Sequence, residues 1–302
     1  FPTRRSSDLT YGSENTFTVT GTAELDKPVI SYAVKKDSEK GPDGNTADVL
    51  DVDSGSGEVT IKQAGEATIT VTAAETANVG AASVEYTVTV KKAKPTVSLT
   101  DKKLEVPYTG QPIEGYDKAT ATAEVVAGAD QPAGDITYTF YTNKDCTEKL
   151  DNGAEGNVPI AVGTYYMKAT YPGDTNYEPA ESEPVTVTVT KAQLTVDAEG
   201  YTGTYNGETY PPITVNSVTG KDSNLSYEVY YMKDDGTDVP AAENEGWSKE
   251  RKVKDVADSG KYWYKVVITG EHANDYAPYI ASAQVTISAK VLQLTGVLDE
   301  YT

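Results

Sequence analysis

The chain has 302 residues, with 26 Lys and Arg against 46 Asp and Glu for a net charge of −20 at pH 7, and it is 38% hydrophobic. So acidic a surface repels phosphate backbones and anionic lipid headgroups, which argues against nucleic acid or a membrane surface as partner. A lone cysteine, Cys146, rules out an intrachain disulfide, and with a lone histidine, His272, it leaves no ligand set for a structural zinc.

Residues 1–9 resemble a translated sequencing-adaptor read-through from assembled environmental DNA, and they are set aside from fold reasoning. Beyond them the chain repeats. Tyr11, Tyr108 and Tyr205 are 97 residues apart in both intervals, and Gly65, Gly163 and Gly260 are 98 and 97 apart. That period is too long for a solenoid unit and suits one self-sufficient β-sandwich per repeat. The expected domains are therefore 10–93, 94–191 and 192–289, each with its own small core and no large shared one. Gln293-Leu294-Thr295 and Tyr301-Thr302 echo Gln193-Leu194-Thr195 and Tyr201-Thr202, so residues 290–302 read as the truncated start of a further repeat.

In the first repeat, Asp53-Ser54-Gly55-Ser56-Gly57 reads as a hairpin turn, since an EF-hand loop needs an oxygen ligand where Gly55 stands. Gly65-Glu66-Ala67-Thr68-Ile69-Thr70-Val71 then alternates as a strand with Ala67, Ile69 and Val71 inward, and Tyr86 to Val90 alternates as the last strand. In the second repeat, Tyr138 to Asp145 echoes Tyr227 to Asp234 of the third. There Ala161-Val162-Gly163-Thr164-Tyr165-Tyr166-Met167 leads a strand, and Val185 to Val189 closes the repeat. In the third, Asp258-Ser259-Gly260-Lys261-Tyr262-Trp263-Tyr264 takes the leading role and Val285 to Ile287 the closing one. The junctions, Lys91 to Pro95, Lys191 to Gln193 and Ala289 to Val291, carry lysine or proline and no glycine, so hinge freedom is limited. Domains of roughly 35–45 Å set end to end give a semi-rigid array of about 100–130 Å.

The Asp-x-Gly-x-Tyr pattern at Asp258 to Tyr262 resembles the corner of immunoglobulin-like domains, with Tyr264 and Met167 where that fold often places a disulfide cysteine. Val52 to Val71 resembles the bacterial group-two Ig-like domain. The second and third repeats, with Tyr108-Thr109-Gly110 and Tyr205-Asn206-Gly207, resemble the tyrosine-glycine Ig-like repeats of large surface proteins. This resemblance implies an all-β fold of tandem Ig-like β-sandwiches in an elongated array, exported to a bacterial cell surface. It makes Tyr165 and Tyr262 candidate tyrosine corners beside the structural glycines Gly65, Gly163 and Gly260. In the first repeat Ala67 stands at the tyrosine position.

Catalysis has no address in the sequence. No G-x-S-x-G surrounds a serine, His272 lies in a polar loop, and the many acids nominate no pair without a cleft. Neither a cofactor nor a metal is expected, because the junctions where a cadherin-type array would clamp calcium carry Lys91, Lys92, Lys94, Lys191 and Lys290. Trp263, facing outward from Tyr262 and Tyr264, together with His272, Tyr276 and Tyr279, forms the one candidate binding cluster, suited to stacking on a sugar. The competing reading has these rings cover the sheet or pack on a neighbouring domain. The functional expectation is a non-enzymatic spacer or stalk displaying a distant domain. Its alternatives are an adhesin module binding a host or cell-wall glycan or protein, and accessory domains of a secreted carbohydrate-active enzyme.

Overall fold

The computed structural model describes residues 9–100 and 103–296. The chain is all-β: among the described residues helical geometry is confined to single 3-10 turns at Glu155–Asn157, Val256–Asp258 and Ala273–Asp275. It forms two compact units. One takes in the described residues of Phe1–Leu104, Glu114–Val158 and Tyr165–Val187, the other those of Glu105–Ile113, Pro159–Thr164 and Thr188–Thr302.

The first repeat contributes β1 (Leu9–Thr10), β2 (Thr16–Thr18), β3 (Ile30–Val34), β4 (Leu50–Val52), β5 (Glu58–Ile61), β6 (Gly65–Ala73) and β7 (Ala82–Lys91). Two sheets result, ordered β1-β7-β6-β3 and β2-β5-β4. The alternation read from the sequence puts Ala67, Ile69 and Val71 of β6 and Val88 and Val90 of β7 inside. Asp53 makes the β4–β5 hairpin: its Oδ1 accepts the N–H groups of Gly55 and Ser56 and the Ser56 hydroxyl, so this carboxylate is spent on its own turn. Gly65 is required where it stands, with φ +150° and a Cβ position 2.3 Å from the Lys40 carbonyl oxygen. Leu9, grouped by the sequence with the leading segment, pairs with Val90 and is buried. The other eight residues of that segment lie outside the described residues.

The second repeat supplies β8 (Thr96–Leu99), β9 (Lys103–Pro107), β10 (Ala119–Thr122), β11 (Thr137–Tyr141), β12 (Gly163–Tyr171), β13 (Ala180–Glu181) and β14 (Val185–Thr190). β8 pairs with β10, and a second sheet runs β11-β12-β14-β9 with β13 beside β12. The core of the first repeat does not close on itself. One continuous buried cluster runs from Val59, Ile69 and Val90 through Leu9, Tyr11 and Ala93 to Val97, Ala169, Tyr171 and Tyr177. The expectation of unshared cores is corrected here: apolar side chains at the repeat boundary bury against each other instead of facing water.

In the third repeat, β15 (Thr195–Gly200) pairs with β17 (Ile213–Thr219), and a sheet runs β16 (Thr202–Thr204), β20 (Tyr279–Ser288), β19 (Gly260–Thr269), β18 (Ser226–Lys233). The echo between β11 and β18 is offset in register. Tyr138 faces Ala169, six residues past Gly163, whereas Tyr227 faces Ile268, eight past Gly260. A two-residue offset preserves which face each side chain takes. Gln293, Leu294 and Thr295 are in no strand, and the Tyr301-Thr302 echo lies outside the described residues.

Candidate functional site

The outer face of β18 and β19 carries Trp263, one of the aromatic side chains that the sequence offered as a binding surface. Strand alternation does turn Trp263 away from Tyr262 and Tyr264. It is nonetheless only 8% exposed, with Nε1 donating to Asp234 Oδ1 at 2.8 Å and the Lys261 ammonium 4.1 Å from its ring centroid. Nearby, the connection between β18 and β19 returns to the sheet. Tyr231 and Ser248 exchange both backbone hydrogen bonds, and Trp247 Nε1 donates to Ala241 O. Lys265 Nζ donates to Ala242 O at 2.7 Å and lies 4.8 Å and 5.1 Å from the ring centroids of Tyr230 and Trp247. Burial, opposed by Glu243, pushes its pKa down. Lys249 bridges to Glu228 and also lies near this group, 5.0 Å from the Tyr230 centroid. The arrangement around Tyr230 and Trp247 is a filled cation–aromatic stack, and Trp263, buried with Lys261 over its ring, offers no open face for a sugar.

The other three candidates go elsewhere. Tyr279 turns inward, its ring 6.0 Å from that of Tyr264, whose pKa burial and this neighbour push up to about 12. His272 is exposed, and its Nδ1 lies 3.2 Å from Asp275 Oδ2. Tyr276 is buried edge-on against Tyr108, with centroids 5.6 Å apart, and its hydroxyl accepts the Asp222 N–H. Only His272 and Tyr276 come together, around Tyr108, whose ring centroid is 6.3 Å from that of His272.

Of the corner residues, Tyr262 Oη donates to Asp258 O at 3.0 Å, four residues upstream, and Gly260 holds φ +147° at the head of β19. Tyr165 is half-buried on β12, the strand that Gly163 opens. Burial is the main cause raising the Cys146 thiol pKa, against a smaller opposing effect from Lys168. A shallow cleft of about 400 Å³ is lined by Gly41, Pro42, Glu66, Lys92 and Glu178 among others, with no histidine, cysteine or serine. Among the described residues no three His, Cys, Asp or Glu side chains group as a metal site.

A second, recurring arrangement went unread in the sequence. At the boundary of the first and second repeats, the rings of Tyr11 and Tyr177 meet edge to face, 5.7 Å apart at 86°. The linker residue Ala93 donates its N–H to Asn176 O and accepts from Glu178 N–H, at 2.9 and 2.8 Å. Asn176 Oδ1 accepts the Ala64 N–H, just before the corner glycine. At the next boundary Tyr108 meets Tyr276 at 82°. Ala192 donates to Asp275 O and accepts from Ala277 N–H, both at 2.9 Å, and Asp275 Oδ1 accepts the Val162 N–H at 3.3 Å. The same lock is thus built twice, with Asn176 replaced by Asp275. In the first, Asp174 braces the loop by accepting the Asn176 and Tyr177 N–H groups, the Ala133 N–H and the Tyr171 hydroxyl. Burial alone would raise its pKa, but the Tyr171 hydroxyl and these N–H groups hold it below the usual carboxylate value.

Comparison with known proteins places this geometry in context. Residues 107–190 match the model of the bacterial Ig-like domain (group 3). No curated protein sequence matches the chain. Similar solved structures include Drosophila N-cadherin EC1-3, at 11% identity over 94% of this chain and 96% of that one, with a TM-score of 0.29. The three N-terminal domains of the bacteriophage RB49 highly immunogenic outer capsid protein are similar at 15% identity over 94% and 96%, with a TM-score of 0.25. Human CDH23 EC21-23 is similar at 13% identity over 92% and 96%, with a TM-score of 0.28.

Proposed function

We propose that this chain is a non-enzymatic spacer segment of a bacterial cell-surface or secreted protein, in which repeats 10–93, 94–191 and 192–289 hold a distant functional domain in place. The observation that carries the reading is the repeated junction lock. In each of two linkers one residue, Ala93 or Ala192, pairs both its N–H and its C=O with the loop of the following repeat, which restrains bending at that boundary. The cation–aromatic stack on the third repeat agrees with a structural role, since its rings are occupied by the protein's own lysines and loop. The group-two character of the first repeat and the tyrosine-glycine character of the next two belong to the same reading and rest on the motifs quoted above. The bacterial Ig-like match over residues 107–190 supports an exported setting, such domains being typically extracellular. Among the described residues no helix is long and apolar enough to cross a membrane.

Small-angle scattering of the full chain, with calcium and with chelator, tests the proposal. The expected maximum dimension is about 100–130 Å from strand length, unchanged by calcium. A compact particle, or an extension that depends on calcium, would refute the spacer reading.

A further inference from the structure

Tyr201 and Tyr210 of the third repeat lie face to face, with ring centroids 4.3 Å apart and planes 16° from parallel. Their hydroxyls share a hydrogen bond, and Asn206 Nδ2 donates to Tyr210 Oη at 2.7 Å. Both phenol ends therefore point the same way, which sets the ring carbons ortho to each hydroxyl beside one another. Backbone pairing holds the two residues in place. Tyr201 donates its N–H to Pro212 O and accepts from the Thr286 N–H, both at 2.9 Å, while Tyr210 and Val253 exchange both of their hydrogen bonds. Gly203 of β16 makes room for the stack, since a Cβ there would lie against the Tyr201 hydroxyl and 2.8 Å from its Cζ.

Other tyrosine pairs among the described residues are built differently. Tyr11–Tyr177, Tyr108–Tyr276 and Tyr116–Tyr138 meet at 86°, 82° and 79°, so that a ring edge faces a ring plane and the ortho carbons do not lie side by side. Tyr264 and Tyr279 share a hydroxyl hydrogen bond, but their centroids are 6.0 Å apart and Tyr264 is buried. Tyr201 and Tyr210 are both half-buried, within reach of solvent.

We propose that Tyr201 and Tyr210 are a site of oxidative cross-linking, joined as a dityrosine by hydrogen peroxide acting through a haem peroxidase. Each phenol gives up one electron and one proton, and the ortho carbons of the two radicals form a carbon–carbon bond. Each ortho hydrogen then passes to its own ring's oxygen, which restores both phenols. The two electrons and two protons released reduce the peroxide to two waters. The stack favours this coupling because both radicals arise already in place and have no need to diffuse together. Bond formation slides the rings from stacked to side by side, a movement open to half-buried side chains. The bridge closes residues 201–210 into a covalent loop around Tyr205-Asn206-Gly207 and restricts the unfolded chain there, as a disulfide does. It lies within one repeat, so it stands or falls apart from the spacer reading.

The test treats the dilute 302-residue chain with peroxidase and hydrogen peroxide, follows dityrosine fluorescence and maps the products by peptide mass spectrometry. The expected product is a monomer lighter by two hydrogens, with its bridge between the peptides that carry Tyr201 and Tyr210. Tyr201→Phe keeps the ring but forms no phenoxyl radical, and should abolish the bridge within the chain. Gly203→Ala retains both tyrosines and displaces the Tyr201 ring, so the yield should fall several-fold. Three results would each overturn the proposal: an undiminished yield in Gly203→Ala, a bridge that persists within Tyr201→Phe chains, or a parent product joined mainly elsewhere. The last includes a bridge between Tyr264 and Tyr279, or one between chains through the exposed Tyr205 or Tyr227. The parent map and the conservative Tyr201→Phe variant decide the matter even where Gly203→Ala fails to fold.

Discussion

Replacing Tyr177 with alanine removes the wedge at the first junction, and its effect follows from the surroundings of the ring. Tyr177 is 1% exposed, its ring packs edge-on against Tyr11, and its hydroxyl donates to Asp130 O at 2.6 Å. Truncating a buried aromatic residue to alanine costs about 3–5 kcal/mol, most of it lost transfer energy and the cavity left behind. The edge-to-face pair accounts for about 0.5–1.5 kcal/mol within that loss. Tyr177→Phe keeps the ring, so it should cost only the hydroxyl's net hydrogen bond, about 0.5–1.5 kcal/mol. Because one buried cluster joins the first two repeats, damage at Tyr177 should also reach β1, β6 and β7. Hydrogen exchange reads this directly. In Tyr177→Ala the amides of Tyr11, which donates to Lys91 O, and of Val126, which donates to Gly12 O, should lose protection together with the Tyr177 loop. Loss confined to that loop, with those two amides protected as in the parent, would refute the claim that the repeats are energetically coupled there.

Tyr262→Phe should cost about 0.5–1.5 kcal/mol in denaturant melts of the third repeat and leave the others unchanged, as expected for one corner hydrogen bond. Gly65→Ala should destabilise the first repeat by about 1–3 kcal/mol from backbone strain alone, and by more once the new methyl meets the Lys40 carbonyl, as calorimetry would show. Asp174→Ala leaves the Ala133, Asn176 and Tyr177 N–H groups without their acceptor and the Tyr171 hydroxyl with only the longer bond to Ala133 O, and should cost about 2–4 kcal/mol in the second repeat. The Asp174 carboxyl has a lower pKa folded than unfolded, so its contribution is complete above the ordinary value of 3.8 and is lost as pH falls through the lower folded value. Acid melts should therefore show a loss below about pH 4 that Asp174→Ala abolishes.

Much of the fold was legible because strands announce themselves locally. The alternation at Ala67, Ile69 and Val71 and at Val185, Val187 and Val189 fixes the inward faces, and Gly65 and Gly260 mark backbone that other residues enter only with strain. The junction was not legible because its partners are distant. Tyr11 and Tyr177 are separated by 166 positions and Tyr108 and Tyr276 by 168, so the period displayed one tyrosine of each pair as a landmark without revealing the contact. Trp263 shows a related limit. Its direction was readable from period-two alternation, but its hydrogen bond to Asp234 and the Lys261 ammonium over its ring are side-chain pairings that alternation does not specify. The offset between β11 and β18 is of the same kind, since similarity of sequence aligned Tyr138 with Tyr227 while strand register aligns Tyr138 with Val229.

The two junctions share a set of backbone groups to be satisfied more than a set of residues. A linker buried between sandwiches exposes its N–H and C=O to desolvation unless something pairs them. At Ala93 and Ala192 the following repeat's loop supplies both partners, and the side chain of Asn176 or Asp275 reaches one further N–H on the preceding corner. Either side chain serves because only its acceptor oxygen is used. The charge placement differs accordingly: the first junction carries its acid at Asp174, held by Tyr171, while the second carries it at Asp275 beside His272. The tyrosine ring then fills the space between sandwiches and excludes water from those hydrogen bonds, which strengthens them. A linker paired in this way has few dihedrals left free. Short junctions without glycine suit such a lock, whose hydrogen-bonding partners lie in the loop that follows rather than in the linker itself.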